Sequence, residues 1–215
     1  MDKKSRNTTS GEPRWLSWAR ELQALAQTGL TYATGHYDVE RYRRIMEIAA
    51  EMLGTHTGEP SSGIAEAFLR EPGYATPKVD VRGAVVKDGR VLLVQERSDG
   101  KWCMPGGWAD VDEAPSAMVV REVKEESGLN VVPRKVIGVF DANRSGRPRN
   151  FFHAYKVVFF CTLLGGEPTP SDETTAVDFF DFDKLPELSE QRTHARHLAE
   201  VRAHLADPMR AAAFD

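Results

Sequence analysis

The chain has 215 residues, which is enough for one ordinary domain with a smaller addition. Its 41% hydrophobic residues can build a core, and its 28% charged residues are near the average for globular domains, so a wholly disordered chain is excluded. The net charge of -4 argues against a protein that holds a nucleic-acid backbone over a wide area, because such surfaces are basic.

The N-terminal part of the chain is predicted to be helical after a short tail. Residues 1–13 are polar and are expected to form a flexible tail. From Trp15 to Leu25, apolar side chains recur at spacings of three and four, which predicts an amphipathic helix. Gly29 is the expected end of this helix.

Two further helices are predicted before the first strand. The first begins near Asp38, a residue type that caps helix N-termini, and is expected to end at Gly54. The second is predicted over residues 62–70. Together residues 14–72 are expected to form a small helical domain, which buries little area by itself. We therefore predict that it joins two chains into a homodimer or covers the substrate as a lid.

After Pro77 the pattern changes from helical spacing to strands rich in Val and Phe. Strands are predicted over residues 79–86, 90–96, 131–140, 155–164 and 176–182. Helices are predicted over residues 115–127 and 189–205. This order predicts an α+β fold in which helices pack against a mixed sheet.

Three acidic residues on the first of these helices stand out because their spacing places them on one face. Glu122, Glu125 and Glu126 are three and four residues apart, so ionised side chains there repel one another. A divalent cation with a preference for oxygen ligands, Mg²⁺ or Mn²⁺, would offset this repulsion. An acidic face exposed to solvent is the alternative interpretation of the same spacing.

The residues before this helix favour the metal site over the solvent-exposed face. Gly106 and Gly107 let the backbone approach a ligand closely. With the acids that follow, the segment resembles the Nudix box at every specified position, on a predicted loop, helix and loop. The matching positions are Gly107, Glu113, Arg121, Glu122, Val123, Glu125, Glu126, Gly128 and Leu129.

The resemblance implies a fold and a set of roles. It implies a Nudix hydrolase domain over residues 77–207, an α/β/α sandwich with a mixed sheet. It implies that Glu122 and Glu126 bind Mg²⁺, for which Mn²⁺ can substitute, and that Glu125 and the Gly106 carbonyl assist. Arg121 and Glu113 would brace the loop against the helix. The alternative interpretation of these two residues is a plain ion pair on the surface.

A wider resemblance points to one bacterial branch of the family, with a helical N-terminal domain and CDP-choline pyrophosphatase-like and ADP-ribose pyrophosphatase-like members. It runs from Trp15 to about Arg192 and includes residues 18–32, 37–42, 76–84, 106–111 and 179–189. It implies cleavage of a nucleoside diphosphate linked to a group X into a nucleoside monophosphate and phospho-X. The family often has glycine where this chain has Asp112.

The contacts to substrate are predicted from basic residues and one further acid. Gly107 would lie beside the diphosphate, and four arginines are candidates to hold phosphate or ribose: Arg82, Arg97, Arg144 and Arg149. For the last two, a flexible basic loop is an equal interpretation. Glu173 lies on a polar loop, where it would supply an extra acid to the site or carry a simple loop charge.

Two other classes of function remain open at this stage. One is a regulatory module that senses ADP-ribose without cleaving it, although a sensor need not keep the metal-binding acids. The other is an RNA-processing hydrolase, which the acidic balance disfavours. No apolar run reaches the length of a membrane helix, and Cys103 and Cys161 lack CxxC spacing. We therefore expect a cytoplasmic enzyme with reduced thiols.

Overall fold

The computed structural model describes residues 13–142 and 152–215, which fall into two compact units. The first unit holds residues 13–77 with 152 and 153, and the second holds residues 78–142 and 154–215. The predicted tail, up to residue 12, lies outside the described residues, as do Arg144 and Arg149. No helix of the described ranges combines the length and the apolar character needed to cross a membrane.

The first unit consists of three helices: α1 (Arg14–Tyr32), α2 (His36–Thr57) and α3 (Ser61–Leu69). The predicted helix ends at Gly29 and Gly54 are wrong, because both glycines lie inside helices. A side chain at Gly29 would collide with the ring of Tyr42, and one at Gly54 would lie 2.8 Å from the carbonyl oxygen of Glu59. These glycines therefore permit close packing, and Gly58, at φ +80°, ends α2 instead.

The core of this helical unit uses one face of each helix. Leu16 and Ala19 of α1 pack with Met46 and Leu53 of α2 and with Phe68 of α3, all nearly inaccessible to solvent.

The amphipathic spacing predicted that α1 is a helix, but the inward face that it implied is wrong: Trp18 and Leu25 of the predicted stripe are 49% and 58% exposed, whereas Leu16, Ala19 and Ala26 are buried. The small alanines allow α1 to pack closely on the other helices.

The second unit contains seven strands and two helices. The strands are β1 (Lys78–Lys87), β2 (Arg90–Glu96), β3 (Trp102–Cys103), β4 (Leu129–Asp141), β5 (Ala154–Gly166), β6 (Thr174–Asp181) and β7 (Ala213–Phe214). The helices are α4 (Pro115–Ser127) and α5 (Ala195–Ala206). All five predicted strands are confirmed, whereas the two-residue strands β3 and β7 were not predicted because so short a segment carries no period.

The sheet is mixed, with strand order β3-β2-β1-β5-β4-β7 and with β6 paired to β2. β1 runs parallel to β5, and β4 runs parallel to β7, whereas the other pairs are antiparallel. The two helices pack against separate hydrophobic cores. Val81 and Val85 of β1 contact the core under α4, while Ala84 belongs to the core under α5. The α+β fold with a mixed sheet is thus confirmed.

The last helix begins later than predicted because tertiary contacts take its first residues. Ser189 donates its backbone N–H to the carbonyl of Trp102 at 2.8 Å, and Thr193 accepts a hydrogen bond from the N–H of Met104 at 2.9 Å. These contacts hold residues 189–193 beside β3. Helix α5 starts only at Ala195, after His194, whose backbone N–H donates to Nδ1 of His197 at 3.1 Å.

His197 is expected to make the protein less stable in acid. Its ring is 1% exposed, Nε2 has no hydrogen-bond partner among the described residues, and burial lowers its pKa to about 3, far below the ordinary 6.5. Between these values the unfolded chain binds a proton that the folded chain does not. The free energy of unfolding therefore falls as pH drops below about 6.5, by up to about 1.4 kcal/mol per pH unit.

The substitution His197→Gln should flatten this dependence, because glutamine does not titrate and can still accept the hydrogen bond from His194. Urea denaturation between pH 7 and pH 4.5 measures the effect. The matched control is His36→Gln, which changes an exposed imidazole. An equal pH slope in wild type and His197→Gln would contradict the prediction.

Candidate active site

The loop that carries the two glycines runs alongside β1 and extends the sheet locally. The N–H of Gly83 donates to the carbonyl of Pro105 at 2.9 Å, and the N–H of Val81 donates to the carbonyl of Gly107 at 2.8 Å. Gly106 has φ +139°, and a side chain there would collide with the carbonyl oxygen of Val81. Only glycine fits this backbone position, so the loop is held tightly against the strand.

Helix α4 brings its carboxylates to the same loop. Gly83 lets α4 approach β1 closely, because a Cβ there would lie 2.5 Å from the Val123 side chain. Glu126 is buried, and its Oε2 accepts a hydrogen bond from the N–H of Gly106 at 2.9 Å. A Cβ on Gly107 would lie 3.3 Å from Oε2 of Glu122. The predicted glycine loop and two of the predicted acids therefore meet at one place.

Arg121 is bound to four carboxylates around this point. It pairs with Glu113 at 2.8 Å, Glu125 at 2.8 Å, Glu122 at 3.0 Å and Asp110 at 3.2 Å. The structure thus brings the predicted pair of Arg121 and Glu113 together and adds Asp110, which was not predicted. The hydrogen bonds from Arg121 lower the pKa of Glu113, while Glu113 raises the pKa of Arg121. Arg121 of α4 therefore connects the helix to Asp110 and Glu113, in the segment that follows the two glycines.

The electrostatics of the carboxylates reflect their burial. Burial raises the pKa of Glu126 to about 7, against the lowering influence of the Arg82 charge and of the hydrogen bond from Gly106. Burial also raises the pKa of Glu122, although Arg121 opposes the shift. Negative charge at these two positions is therefore costly in the protein alone. A positive charge placed beside them would relieve that cost.

The residues suit a divalent cation by their chemistry. Among the described ranges, no three His, Cys, Asp or Glu side chains stand close enough together to enclose a metal ion. Arg121 donates hydrogen bonds to Oε1 of Glu122 at 3.0 Å and to Oε2 of Glu125 at 2.8 Å. Glu122 and Glu126 nevertheless offer hard carboxylate oxygens, and the pKa of each is raised by burial. The missing side chain of Gly107 leaves space beside Glu122. A cation here would compete with Arg121 for the carboxylates.

A buried group of charges beside the loop was not expected from the sequence. Arg82 is 3% exposed and donates two hydrogen bonds of 2.8 Å to Asp80. Lys156 also pairs with Asp80, at 3.2 Å. Arg82 also donates to the carbonyl of Met104 at 3.1 Å. These contacts use its guanidinium within the fold, so they favour a positioning role over the predicted contact with phosphate. Charged residues two positions apart in a strand rich in Val are the signal that identifies such a group.

Two opposing effects act on each member of this group. Burial pushes the pKa of Asp80 upward, but the charges of Arg82 and Lys156 are stronger together and hold it below its usual value. Burial lowers the pKa of Lys156 to about 8, although Asp80 opposes the shift. One carboxylate therefore compensates two buried cations, and the excess positive charge lies near Glu126.

Arg97 contacts the backbone of the loop that carries Glu173. Arg97 donates through Nε to the carbonyl of Asp172 at 2.8 Å, and its backbone N–H donates to the carbonyl of Glu173 at 2.9 Å. Thr174 is buried and donates to the carbonyl of Glu126 at 3.0 Å. The loop that bears Glu173 is thus attached to the end of α4. Arg97 braces this loop, which differs from its predicted contact with phosphate.

The two cysteines are free thiols in the protein interior. Burial raises the pKa of both, and Cys103 donates a hydrogen bond from Sγ to Oε1 of Glu96 at 3.1 Å. The same carboxylate oxygen pairs with Arg192 at 3.1 Å. This contact anchors the segment before α5 to the end of β2, beside the strand that leads into the glycine loop.

The backbone explains how Asp112 fits at the position where the resemblance in sequence implied glycine. Asp112 has φ +66°, in the left-handed region that glycine adopts without cost and that aspartate tolerates better than most residues. The aspartate is exposed at the turn that leads to Glu113. The backbone conformation at this turn is therefore one that aspartate can adopt in place of glycine.

Comparison with known protein families covers almost the whole described chain. A model of the NUDIX domain matches residues 77–201. A model described as a UDP-X-like, N-terminal oligomerisation domain matches residues 13–68. The two matches are consecutive and do not overlap.

Individual proteins and solved structures are similar to this chain over both of its matched domains. A Bacillus subtilis protein with the provisional name of ADP-ribose pyrophosphatase is 35% identical, over 95% of this chain and 98% of its own length. The crystal structure of a UDP-X diphosphatase is 30% identical, covers 94% of this chain and 98% of that chain, and has a TM-score of 0.60. An ADP-ribose pyrophosphatase structure from Streptococcus suis is 41% identical, covers 65% of this chain and 100% of that chain, and also has a TM-score of 0.60.

Proposed function

This chain belongs to the Nudix hydrolase family, and we propose that it hydrolyses the diphosphate bond of a nucleoside diphosphate linked to a group X. ADP-ribose and UDP- or CDP-linked compounds, CDP-choline included, form the substrate class, with a nucleoside monophosphate and phospho-X as products. One observation supports this most directly: Glu122 and Glu126 lie beside the Gly106–Gly107 loop with raised pKa values. The buried free cysteines agree with a cytoplasmic location.

We assign the metal to the carboxylates of α4. Glu122 and Glu126 would hold Mg²⁺, or Mn²⁺ in its place, with Glu125 and the Gly106 carbonyl as further oxygen donors. When bound, the cation supplies charge neutralisation on the diphosphate and a lower pKa for attacking water. Arg121 keeps Glu122 and Glu125 oriented, and through Glu113 it fixes the loop that faces them.

Glu173 is our candidate for the group that takes the proton from water. The carboxylate is exposed on a loop that Thr174 fastens to the Glu126 carbonyl, at the C-terminal end of the helix that carries the acids. Arg97 holds the same loop through its carbonyls, so the loop is restrained on two sides. A restrained loop can present a base in a constant position.

A substrate screen tests the proposed function. The purified protein is incubated with ADP-ribose, CDP-choline and UDP-glucose in the presence of Mg²⁺ or Mn²⁺, and nucleoside monophosphate is quantified by chromatography. We expect release of the monophosphate from at least one compound. Tight ADP-ribose binding without turnover would favour the sensory module instead, and cleavage restricted to capped RNA would favour an RNA-processing enzyme.

We further propose that the helical unit forms a homodimer through α1. Trp18, Leu25 and Tyr32 are seven residues apart and are 49%, 58% and 69% exposed. They lie on the side of α1 opposite its buried residues Leu16 and Ala26, so α1 is apolar on two faces. An exposed apolar stripe of this kind is typical of an interaction surface. A second copy is the favoured occupant, since the matching domain model is described as an oligomerisation domain.

The variant Leu25→Glu should convert the dimer into a monomer, because it places a charge at the centre of this stripe. The control is Leu69→Glu, which changes a 53% exposed leucine on α3 and should leave the dimer intact. Light scattering after size-exclusion chromatography at micromolar concentration gives the mass of each. A monomeric wild-type protein, or a dimer that survives Leu25→Glu, would refute the assigned interface.

A further inference from the structure

The segment that leads into the glycine loop is held at Met104 by two side chains. The backbone N–H of Met104 donates to the hydroxyl oxygen of Thr193 at 2.9 Å, and its carbonyl accepts a hydrogen bond from Arg82 at 3.1 Å. Strand β3 ends one residue earlier, at Cys103, so its ladder with β2 does not reach these two groups. Met104 and Thr193 are completely buried. Because a buried backbone group without a partner is costly, the two side chains determine where the Met104 backbone lies.

Met104 lies only two residues before Gly106, and the backbone between them is restrained. Pro105 restricts its own φ angle, and its carbonyl accepts a hydrogen bond from the N–H of Gly83 at 2.9 Å. The N–H of Gly106 then donates to Oε2 of Glu126 at 2.9 Å. Among the described residues, no backbone N–H donates to the Gly106 carbonyl. The orientation of this glycine therefore depends on the contacts that hold the residues just before it.

Thr193 reaches Met104 because its own segment is attached to β3. Its backbone N–H donates to the carbonyl of Ser189 at 2.8 Å, which closes a turn before α5. Ser189 donates its N–H to the carbonyl of Trp102 at 2.8 Å and its hydroxyl to Asp99 at 2.7 Å. Thr193 is 89 residues from Met104 in the chain, so the fold makes this contact and local sequence does not. The Thr193 hydroxyl is thus held in one place beside the end of β3.

We propose that Thr193 is a positioning residue for the carboxylate site. Its hydroxyl holds the N–H of Met104, and through the next two residues it sets where the N–H and carbonyl of Gly106 lie beside Glu126. The role is indirect, because the hydroxyl acts on the backbone of the loop and not on a carboxylate. This inference rests on the proposed function, in which Glu126 and the Gly106 carbonyl are donors to the cation. Residues that orient metal ligands change metal affinity by about 10- to 100-fold.

Thr193→Val tests the proposal, because valine has nearly the shape of threonine but offers no acceptor to the N–H of Met104. We expect the Kd for Mn²⁺, measured by calorimetry, to rise roughly tenfold. In the metal-free protein, the amide hydrogen of Gly106 should exchange with solvent roughly tenfold faster, as measured by NMR. Thr193→Ser keeps the hydroxyl and should restore both values to those of the wild type.

The matched control is Val201→Ala, which removes volume from the hydrophobic core that Met104 shares. Val201 is completely buried, so this variant should unfold at a lower temperature than the wild type. It should nevertheless keep the Mn²⁺ affinity and the Gly106 exchange rate of the wild type, because a valine side chain makes no hydrogen bond to the loop. The control therefore separates loss of stability from loss of positioning.

Equal Mn²⁺ affinity and equal Gly106 exchange in the wild type and Thr193→Val would overturn the proposal. A Thr193→Ser protein that restores neither value would also overturn it, as would a rise in Kd of the same size in Val201→Ala. If Thr193→Val does not fold, Thr193→Cys replaces it, since a thiol is a weaker acceptor than a hydroxyl. Wild-type values for a folded Thr193→Cys would then contradict the proposal.

The exchange measurement needs neither metal nor substrate, so it tests the positioning role separately from the proposed function. If the wild type hydrolyses nothing and binds no Mn²⁺, but Gly106 still exchanges faster in Thr193→Val than in Thr193→Ser, the proposed function fails while the positioning of the loop by Thr193 stands.

Discussion

Glu126→Gln is expected to lower kcat by roughly two to three orders of magnitude in a protein that remains folded. The substitution removes a negatively charged oxygen donor from the carboxylate site and so weakens both cation binding and the stabilisation of charge on the diphosphate. Glu122→Gln should have a comparable effect for the same reason. KM should change much less than kcat, because the loss falls on the chemical step.

The fold should tolerate Glu126→Gln because glutamine keeps the local hydrogen bond. The amide oxygen can still accept from the N–H of Gly106, and a neutral side chain is less costly than a carboxylate in a buried position. The expected melting temperature is therefore equal to or above that of the metal-free wild type.

Three measurements are needed together: kcat, Mn²⁺ binding by calorimetry, and thermal unfolding. Glu167→Gln, which changes an exposed glutamate of the same unit, is the control and should match wild type in all three. If Glu122→Gln and Glu126→Gln both bind Mn²⁺ and turn over substrate as the wild type does, the carboxylates of α4 are not the metal ligands.

Asp80→Asn should reduce the free energy of unfolding by about 3–5 kcal/mol. Asp80 is the carboxylate that two buried cations share, Arg82 at 2.8 Å and Lys156 at 3.2 Å. With asparagine in its place, both positive charges lose their compensation inside the protein. Lys156 can give up its proton, since its pKa is already lowered to about 8, but an arginine cannot. The uncompensated Arg82 therefore carries most of the expected loss.

The matched control for this prediction is Asp183→Asn. Asp183 pairs with Arg202 at 2.6 Å, but both side chains are more than half exposed, and solvent screens such pairs so that they contribute little to stability. Urea denaturation at pH 7 compares the two variants. Equal losses for Asp80→Asn and Asp183→Asn would show that burial of the first pair does not determine its contribution.

The outcome for Arg82 illustrates how far sequence reasoning reaches. The sequence places Asp80 and Arg82 two positions apart on a predicted strand, which puts their side chains on one face. It does not show that Lys156 lies beside them, because that contact depends on the parallel pairing of two strands far apart in the chain. Without this pairing, an arginine near a glycine loop is most simply interpreted as a ligand for phosphate.

The helix boundaries also depend partly on local sequence pattern and partly on contacts between distant segments. Amphipathic spacing predicted the helices of the first unit but not the buried face of α1, where Leu16 and Ala26 lie inside and Trp18 and Leu25 are exposed. The glycines that were expected to end α1 and α2 instead lie where another side chain or backbone comes close, at Tyr42 and Glu59. A glycine is favourable both at a helix end and at a close contact, and the sequence alone does not distinguish these two uses.

The sequence by itself determined the presence of the helices and main strands, and the placement of three acids on one helical face beside two glycines. These features depend on residues a few positions apart, whose relation is fixed by the local periods of helix and strand. Only the tertiary structure decided that Lys156 joins Arg82 beside Asp80, that Thr174 fastens its loop to α4, and that Val79 lies beside Tyr155 in the sheet. Each of these relations joins segments distant in the chain, and strand pairing and helix packing set them.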